Sequence, residues 1–238
     1  MAELIVAFDV GSGREALALA ARLPGLRWAK IGPGLFLRAG PDLVREFVAR
    51  GVQVFLDFKW HDIPTAVARA VTAARELGAH MATVHALGGP AVLKAAAAAT
   101  GAADGAQGRR AGDGAALALV GVTVLTSHDA SEFERVVGRG VPDLGLEAER
   151  LARLAVAAGL AGVVAAGTEV GLLRAALGQA PWIVVPGIRA PGEAAGDQAR
   201  TIAAPDAVAR GATHLVVGRP IIQATDPAGV YQRLVESL

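Results

Sequence analysis

The sequence predicts a single α/β domain, a (β/α)8 TIM barrel spanning residues 1–238. Three observations lead there. A length of 238 residues suits an architecture that takes about 200–250 residues as one domain. Eight short runs are apolar and rich in β-branched residues, nearly continuous rather than alternating, as in parallel strands covered on both faces. Longer stretches rich in Ala, Leu, Arg and Glu separate them, bounded by glycine or proline. The competing architecture is a doubly wound open sheet. It would carry a Gly-rich turn after its first strand, and Gly11-Ser12-Gly13 is too short for that fingerprint.

In chain order the strand runs are 4–9, 28–32, 52–59, 81–85, 117–125, 162–166, 182–188 and 214–218. Helical patterns lie between them. The first covers 13–23, with Ser12 placed to cap it. The second covers 42–50 and ends at Gly51, and the third covers 64–78, with Pro64 in its first turn and Gly78 at its end. Further helices are read over 147–158, 169–177, 205–210 and 227–238, the first three closed by Gly159, Gly178 and Gly211. Residues 101–114 (GAADGAQGRRAGDG) have no apolar period and are expected to form a flexible loop.

Composition narrows the function. The chain is 53% hydrophobic, enough for a large core. It has no cysteine, which excludes disulfides, thiolate metal sites and a cysteine nucleophile. A formal net charge of +1 gives no global electrostatic argument for nucleic acid or an anionic membrane. The N-terminus enters the first strand without a basic region or cleavage site, and no apolar run is long enough to span a bilayer. The expectation is a soluble cytoplasmic protein.

Barrels of this type place their chemistry at the C-terminal ends of the strands. Asp9 ends the first run and Lys30 falls within the second. Asp57 and Lys59 end the third, His85 ends the fourth, and Thr126 follows the fifth. Arg189 follows the seventh, and Gly218-Arg219 end the eighth. Singly, each has an ordinary reading. Asp9 could cap a helix, Lys30 could snorkel, His85 could be a satisfied structural histidine, and Gly218-Arg219 could form a tight turn. The segment 57–64, DFKWHDIP, shifts the balance. Asp57 and Lys59 are two apart, so on a strand they share a side. In a barrel that side is the lumen, where unpaired charge is costly. An ion pair accounts for two charges. It accounts poorly for Asp57, Lys59 and Asp62 together with Asp9 and Lys30 on neighbouring strands.

That segment resembles the D-x-K-x-x-D-I-P signature of the orotidine 5′-phosphate decarboxylase family. The likeness continues in family order through A-F-D (Asp9), K-I-G (Lys30), V-H-A-x-G-G (His85, Gly88, Gly89) and V-T-V-L-T-S (Thr126, Ser127). It extends to P-G-I-R (Pro186, Arg189), G-D-Q-x-R (Gln198) and V-G-R-P-I (Gly218, Arg219). The resemblance implies a cofactor-free and metal-free homodimer that converts orotidine 5′-monophosphate to uridine 5′-monophosphate and CO2 in de novo pyrimidine biosynthesis. It implies Lys59 as proton donor to C6 and Asp57 against the substrate carboxylate. Lys30 and Asp62 complete an alternating charged array, with Asp62 and Ile63 reaching the partner's site. Asp9 is implied for the ribose hydroxyls, Thr126 and Pro186 for the pyrimidine, and Gln198, Arg189, Gly218 and Arg219 for the phosphate. Three positions depart from the pattern. Thr65-Ala66 stands where the family has Asn-Thr, so the hydroxyl that would reach the ribose across the dimer is missing at position 66, and Thr65 is a candidate to replace it. Val185 replaces a hydroxyl residue, and Pro33-Gly34 replaces a segment that is commonly acidic.

The chemistry fits these residue types. Loss of CO2 from C6 leaves an electron pair in the ring plane, with no carbonyl placed to delocalise it, so stabilisation must be electrostatic. Two lysines and two aspartates in alternation can all stay ionised, because each has an opposite neighbour. Loops after the seventh and eighth strands form the usual phosphate site of a barrel. The Gly/Ala/Pro-rich stretch 191–198 is a candidate lid. Sugar-phosphate decarboxylases and aldol-type synthases of the same suprafamily share D-x-K-x-x-D but use magnesium. A non-catalytic nucleotide-binding barrel is the alternative from another class, yet it would gain nothing from carboxylates beside an anionic ligand.

Overall fold

The computed structural model describes residues 2–101, 117–188 and 201–238. All of the expected loop except Gly101, the stretch 191–198, Arg189 and Gln198 lie outside the described residues. Eight parallel strands close a barrel in chain order, with β8 pairing back to β1. They are β1 (Glu3–Ala7), β2 (Trp28–Ile31), β3 (Gln53–Trp60), β4 (Met81–His85), β5 (Ala118–Val122), β6 (Gly162–Val164), β7 (Trp182–Val185) and β8 (His214–Val217). All eight coincide with the apolar runs of the sequence.

Alternation along each strand divides the core in two. Ile5, Ala7, Trp28, Phe55, Met81, Val120, Val184 and Val216 fill the lumen. Their sequence neighbours, such as Val6, Ala29, Leu56, Ala82 and Val217, face the helices. There Phe8 and Phe47, both wholly buried, meet with ring centroids 5.1 Å apart. Burying each contributes about 2–3 kcal/mol.

The helical layer comprises α1 (Gly13–Ala20), α2 (Pro33–Ala49), α3 (Pro64–Glu76), α4 (Gly89–Ala99), α5 (Ala130–Val137), α6 (Leu144–Ala157), α7 (Val170–Leu177), α8 (Ala204–Ala209), α9 (Arg219–Ile222) and α10 (Pro227–Glu236). Ser12 accepts the Glu15 N–H at 3.2 Å and caps α1, as its position suggests. The second helix begins nine residues earlier than the sequence pattern indicates. It is two helical pieces broken at Gly40 (φ 70°, ψ −174°), where Pro41 starts the second piece. Helices α4, α5 and α9 are absent from the sequence reading, and α6 starts three residues earlier, at an Asp143 cap.

The N-terminal end of the barrel is floored by aromatic rings. His214 meets Trp182 at 4.6 Å and Trp28 at 5.6 Å between ring centroids, and His80 meets Trp28 at 6.2 Å. Burial pushes the His214 imidazole down to about 4, so the ring is neutral at pH 7. Buried Arg174 of α7 ties down the same end by donating to the carbonyls of Gly178, Pro181 and Gly211 at 2.6, 3.0 and 2.7 Å. The opposite rim is open, and the charges lie there.

Candidate active site

The inward positions that are apolar deep in the lumen become polar or charged one step nearer the rim. Trp28 is followed at i+2 by Lys30, Phe55 by Asp57, Met81 by Thr83, and Ala7 by Asp9. Parallel pairing of Ala7 with Lys30 and of Lys30 with Phe55 brings these levels side by side. The result is a cleft of about 370 Å³ whose lining includes Asp9, Lys30, Asp57 and Lys59, with Gly32, which precedes α2, and Pro33 and Arg38 of α2 also in its lining. Residues from β1, β2 and β3, far apart in sequence, thus meet at one mouth.

The four charges alternate in sign along a row. Lys30 Nζ is 3.3 Å from Asp9 Oδ1 and 3.5 Å from Asp57 Oδ2, while Lys59 Nζ is 2.8 Å from Asp57 Oδ1. Asp57 is therefore shared between two ammonium groups. Burial alone would raise its carboxyl pKa. The Lys30 and Lys59 charges, with hydrogen bonds from Lys59 and Thr83, outweigh burial and hold it below the ordinary carboxylate value. Asp57 stays ionised at neutral pH. Lys30 is nearly enclosed, with 11% of its side chain exposed, whereas Lys59 is 39% exposed and can reach both a ligand and solvent.

A bulge aims Lys59. Leu56 pairs with Ala82 and Trp60 with Val84, so Asp57, Phe58 and Lys59 together oppose Thr83 alone. Two extra residues is an even number, so the sides are preserved. Phe58 and Trp60 pack on the outer core, while Asp57 and Lys59 line the cleft. Lys59 adopts φ 51°, and it is the one non-glycine with positive φ among the described residues. Such a conformation costs about 1–3 kcal/mol and persists only where the surroundings over-determine it.

The other expected residues divide into three groups. Asp62 does not join the row within its own chain. Its carboxylate is exposed and accepts the Ile63 N–H at 2.6 Å. Ile63 is 65% exposed, and Thr65 is exposed in the first turn of α3. Thr126 and Pro186 follow the C-terminal ends of β5 and β7 and are partly exposed. Gly218 and Arg219 begin α9 at the end of β8, beside β1, where a Cβ on Gly218 would lie 3.4 Å from Ala7 Cβ and 3.8 Å from Asp9 Oδ2. Arg189 and Gln198 fall outside the described residues.

His85 caps a 3₁₀ turn by accepting the Leu87 N–H at 3.3 Å, and its ring stacks on His61 with centroids 5.5 Å apart. Burial, with the nearby His61, Lys59 and His128, lowers it to about 4, so it is neutral at pH 7. Thr83, wholly buried and hydrogen-bonded to both Asp57 and the Lys59 backbone, is missed by the sequence reading. Its signal was available: a hydroxyl at an inward position of an apolar strand. Among the described residues no three acidic or histidine side chains converge to hold a metal ion.

The sequence matches the profile of the Orotidine 5'-phosphate decarboxylase / HUMPS family over residues 2–234. The chain belongs to the orotidine 5'-phosphate decarboxylase / HUMPS family. Among relatives named orotidine 5'-phosphate decarboxylase, that of Halorhodospira halophila is 47% identical over 226 residues, covering 94% of this chain and 91% of the relative. That of Alkalilimnicola ehrlichii is 45% identical over 236 residues, covering 99% and 95%. The crystal structure of orotidine 5'-phosphate decarboxylase from Lactobacillus acidophilus superposes with a TM-score of 0.84 at 30% identity, covering 100% of this chain and 99% of that one. That structure shares the barrel fold with this chain, and the charged row stands on the first three strands of the barrel.

Proposed function

We propose that this chain decarboxylates orotidine 5′-monophosphate to uridine 5′-monophosphate and CO2 in pyrimidine biosynthesis, with Lys59 delivering a proton to C6. One observation carries the reading: an ammonium group on a bulged strand, half open to the cleft and fixed at 2.8 Å by a shared, ionised aspartate. The bond from C6 to its carboxylate breaks and leaves its electron pair on C6. The Lys59 N–H bond then supplies the proton, and the amine recovers one from solvent, which its exposure permits. A fixed positive charge gains strength as the carbanion develops, so it binds the transition state more tightly than the substrate. Asp57 faces the departing carboxylate, Lys30 holds Asp57 and Asp9 in place, and Asp9 takes the ribose hydroxyls.

The remaining assignments rest on the motifs this chain shares with the family. Gly218 and Arg219, next to β1 across the rim, take the phosphate with Arg189 and Gln198, while Thr126 and Pro186 flank the pyrimidine. Asp62, Ile63 and Thr65 act across a homodimer. An exposed Ile63 at the β3–α3 turn supports that assignment, as does an exposed Asp62 that pairs with no cation among the described residues of its own chain. A substrate bearing a phosphate and a carboxylate does not cross membranes, which supports a cytoplasmic site of action.

The test is the ultraviolet absorbance change of orotidine 5′-monophosphate with purified protein, with and without EDTA. Turnover that is indifferent to EDTA is expected. No turnover would overturn the reading in favour of a binding protein or a magnesium-dependent sugar-phosphate enzyme, and turnover abolished by EDTA would overturn the metal-free mechanism.

A further inference from the structure

A bulged strand leaves backbone groups that the ladder cannot satisfy. At β3 three residues oppose one, and within this bulge the Lys59 N–H donates to a side chain, the hydroxyl of Thr83. The Thr83 hydroxyl accepts the Lys59 N–H at 2.7 Å and donates to Asp57 Oδ1 at 3.2 Å, the same oxygen that receives Lys59 Nζ at 2.8 Å. A hydroxyl offers one donor and two acceptor positions, and here both capacities serve one lysine. One bond fixes its backbone at a φ of 51° and the other fixes the anion that holds its ammonium. Thr83 is wholly buried, so water does not compete for either bond.

We propose that Thr83 is a positioning residue for the reaction, setting where the Lys59 ammonium stands by clamping both ends of that residue through a single hydroxyl. The inference rests on the reading of Lys59 as proton donor. It distinguishes Thr83 from an ordinary buried threonine, whose loss would lower stability and leave the turnover of folded molecules unchanged.

Thr83→Val keeps shape and volume and removes both hydrogen bonds, while Thr83→Ser keeps the hydroxyl. Misplacement of a reacting group by about 1 Å lowers rate about 100-fold. For Thr83→Val, kcat should therefore fall about 100-fold. KM and the Kd for uridine 5′-monophosphate should stay within about threefold, since the rest of the nucleotide is held elsewhere. Thr83→Ser should restore kcat to within about threefold of the parent. If Thr83→Val fails to fold by circular dichroism, Thr83→Ala is measured in its place against the same criteria. A folded Thr83→Val or Thr83→Ala protein with a lowered Tm and near-parental kcat overturns the inference. So does a Thr83→Ser protein as impaired as the valine variant. Lys59→Ala, assayed in parallel, separates the two ideas. If Lys59→Ala is inactive and Thr83→Val is normal, Thr83 alone is misassigned. If Lys59→Ala turns over normally, the proton-donor assignment falls and the Thr83 role falls with it.

Discussion

Asp57→Asn isolates what the shared carboxylate does. The side chain keeps its shape, and one negative charge leaves the middle of the row. The two ion pairs stand at 2.8 and 3.5 Å. At an effective dielectric of about 20, Coulomb's law gives them about 6 and 5 kcal/mol. Asparagine recovers several kcal/mol of the desolvation that a buried carboxylate forfeits. Water also screens Lys59, whose side chain is 39% exposed. The net loss of stability should be about 3 kcal/mol, the scale on which a buried pair loses one partner. Turnover is affected separately. Lys59 loses the anion that fixes it and faces the Lys30 ammonium without an intervening negative charge, so the reacting amine is displaced. A kcat lower by at least about 10³-fold is expected. Substrate absorbance followed in a stopped assay measures kcat and KM, and the urea midpoint measures stability. A folded Asp57→Asn protein with kcat within about threefold of the parent would refute the claim that Asp57 holds Lys59 in place.

Arg219→Ala should lower kcat/KM by about 10²–10³-fold, the scale of a lost charge-assisted phosphate contact, and leave Tm nearly unchanged. Unaltered kinetics with a lowered Tm would make Arg219 a turn residue. His85 and His214 both have folded values of about 4, below the ordinary 6.5. The unfolded chain therefore takes up protons that the fold refuses between those limits. Stability should fall as pH drops from about 6.5 to 4, by up to about 3 kcal/mol for each histidine. Asp57 adds nothing in that window, because its depressed value moves its own loss below the ordinary 3.8. Urea midpoints at pH 7 and 5 should converge in His214→Phe relative to the parent, and parallel slopes would remove His214 from this account. The proposed homodimer predicts that Ile63→Asp gives a 24.1 kDa species in sedimentation where the parent gives a larger one, and lowers activity. A variant that sediments like the parent would remove Ile63 from the interface.

The barrel was legible because its strands are buried on both faces, and eight apolar runs in regular alternation with helices fit few architectures besides a closed parallel sheet. Helix α4 escaped because GPAVLKAAAAA offers almost no polar contrast between its faces, so its period is faint. Helix α5 is only eight residues long and escaped although Asp129 caps its start and Gly138 ends it in a left-handed turn. The pairing of Asp57 with Lys59 followed from simple alternation, although β3 does not alternate simply. Its two-residue bulge leaves the parity intact and therefore leaves no trace in the pattern. Asp9 and Lys30 were readable as strand-end charges, but the row they form with Asp57 emerges only when the barrel closes. Thr83 was readable as an inward-facing hydroxyl on an apolar strand, but not its bond to the Lys59 N–H, which exists only once the β3 bulge sets that backbone against it.

The aromatic floor separates the optical signals of the two ends of the molecule. Trp28 and Trp182 lie around His214 at the closed end, and Trp60 lies on the outer face of β3 against Phe58. Among the described residues no indole lines the charged cleft. Fluorescence excited through tryptophan therefore tracks the integrity of the closed end and the outer layer, while the absorbance of a pyrimidine tracks occupancy of the cleft. Unfolding can then be followed by emission with nucleotide bound, excited beyond the pyrimidine band, because the three indoles stand away from the place where a bound base could quench them by contact.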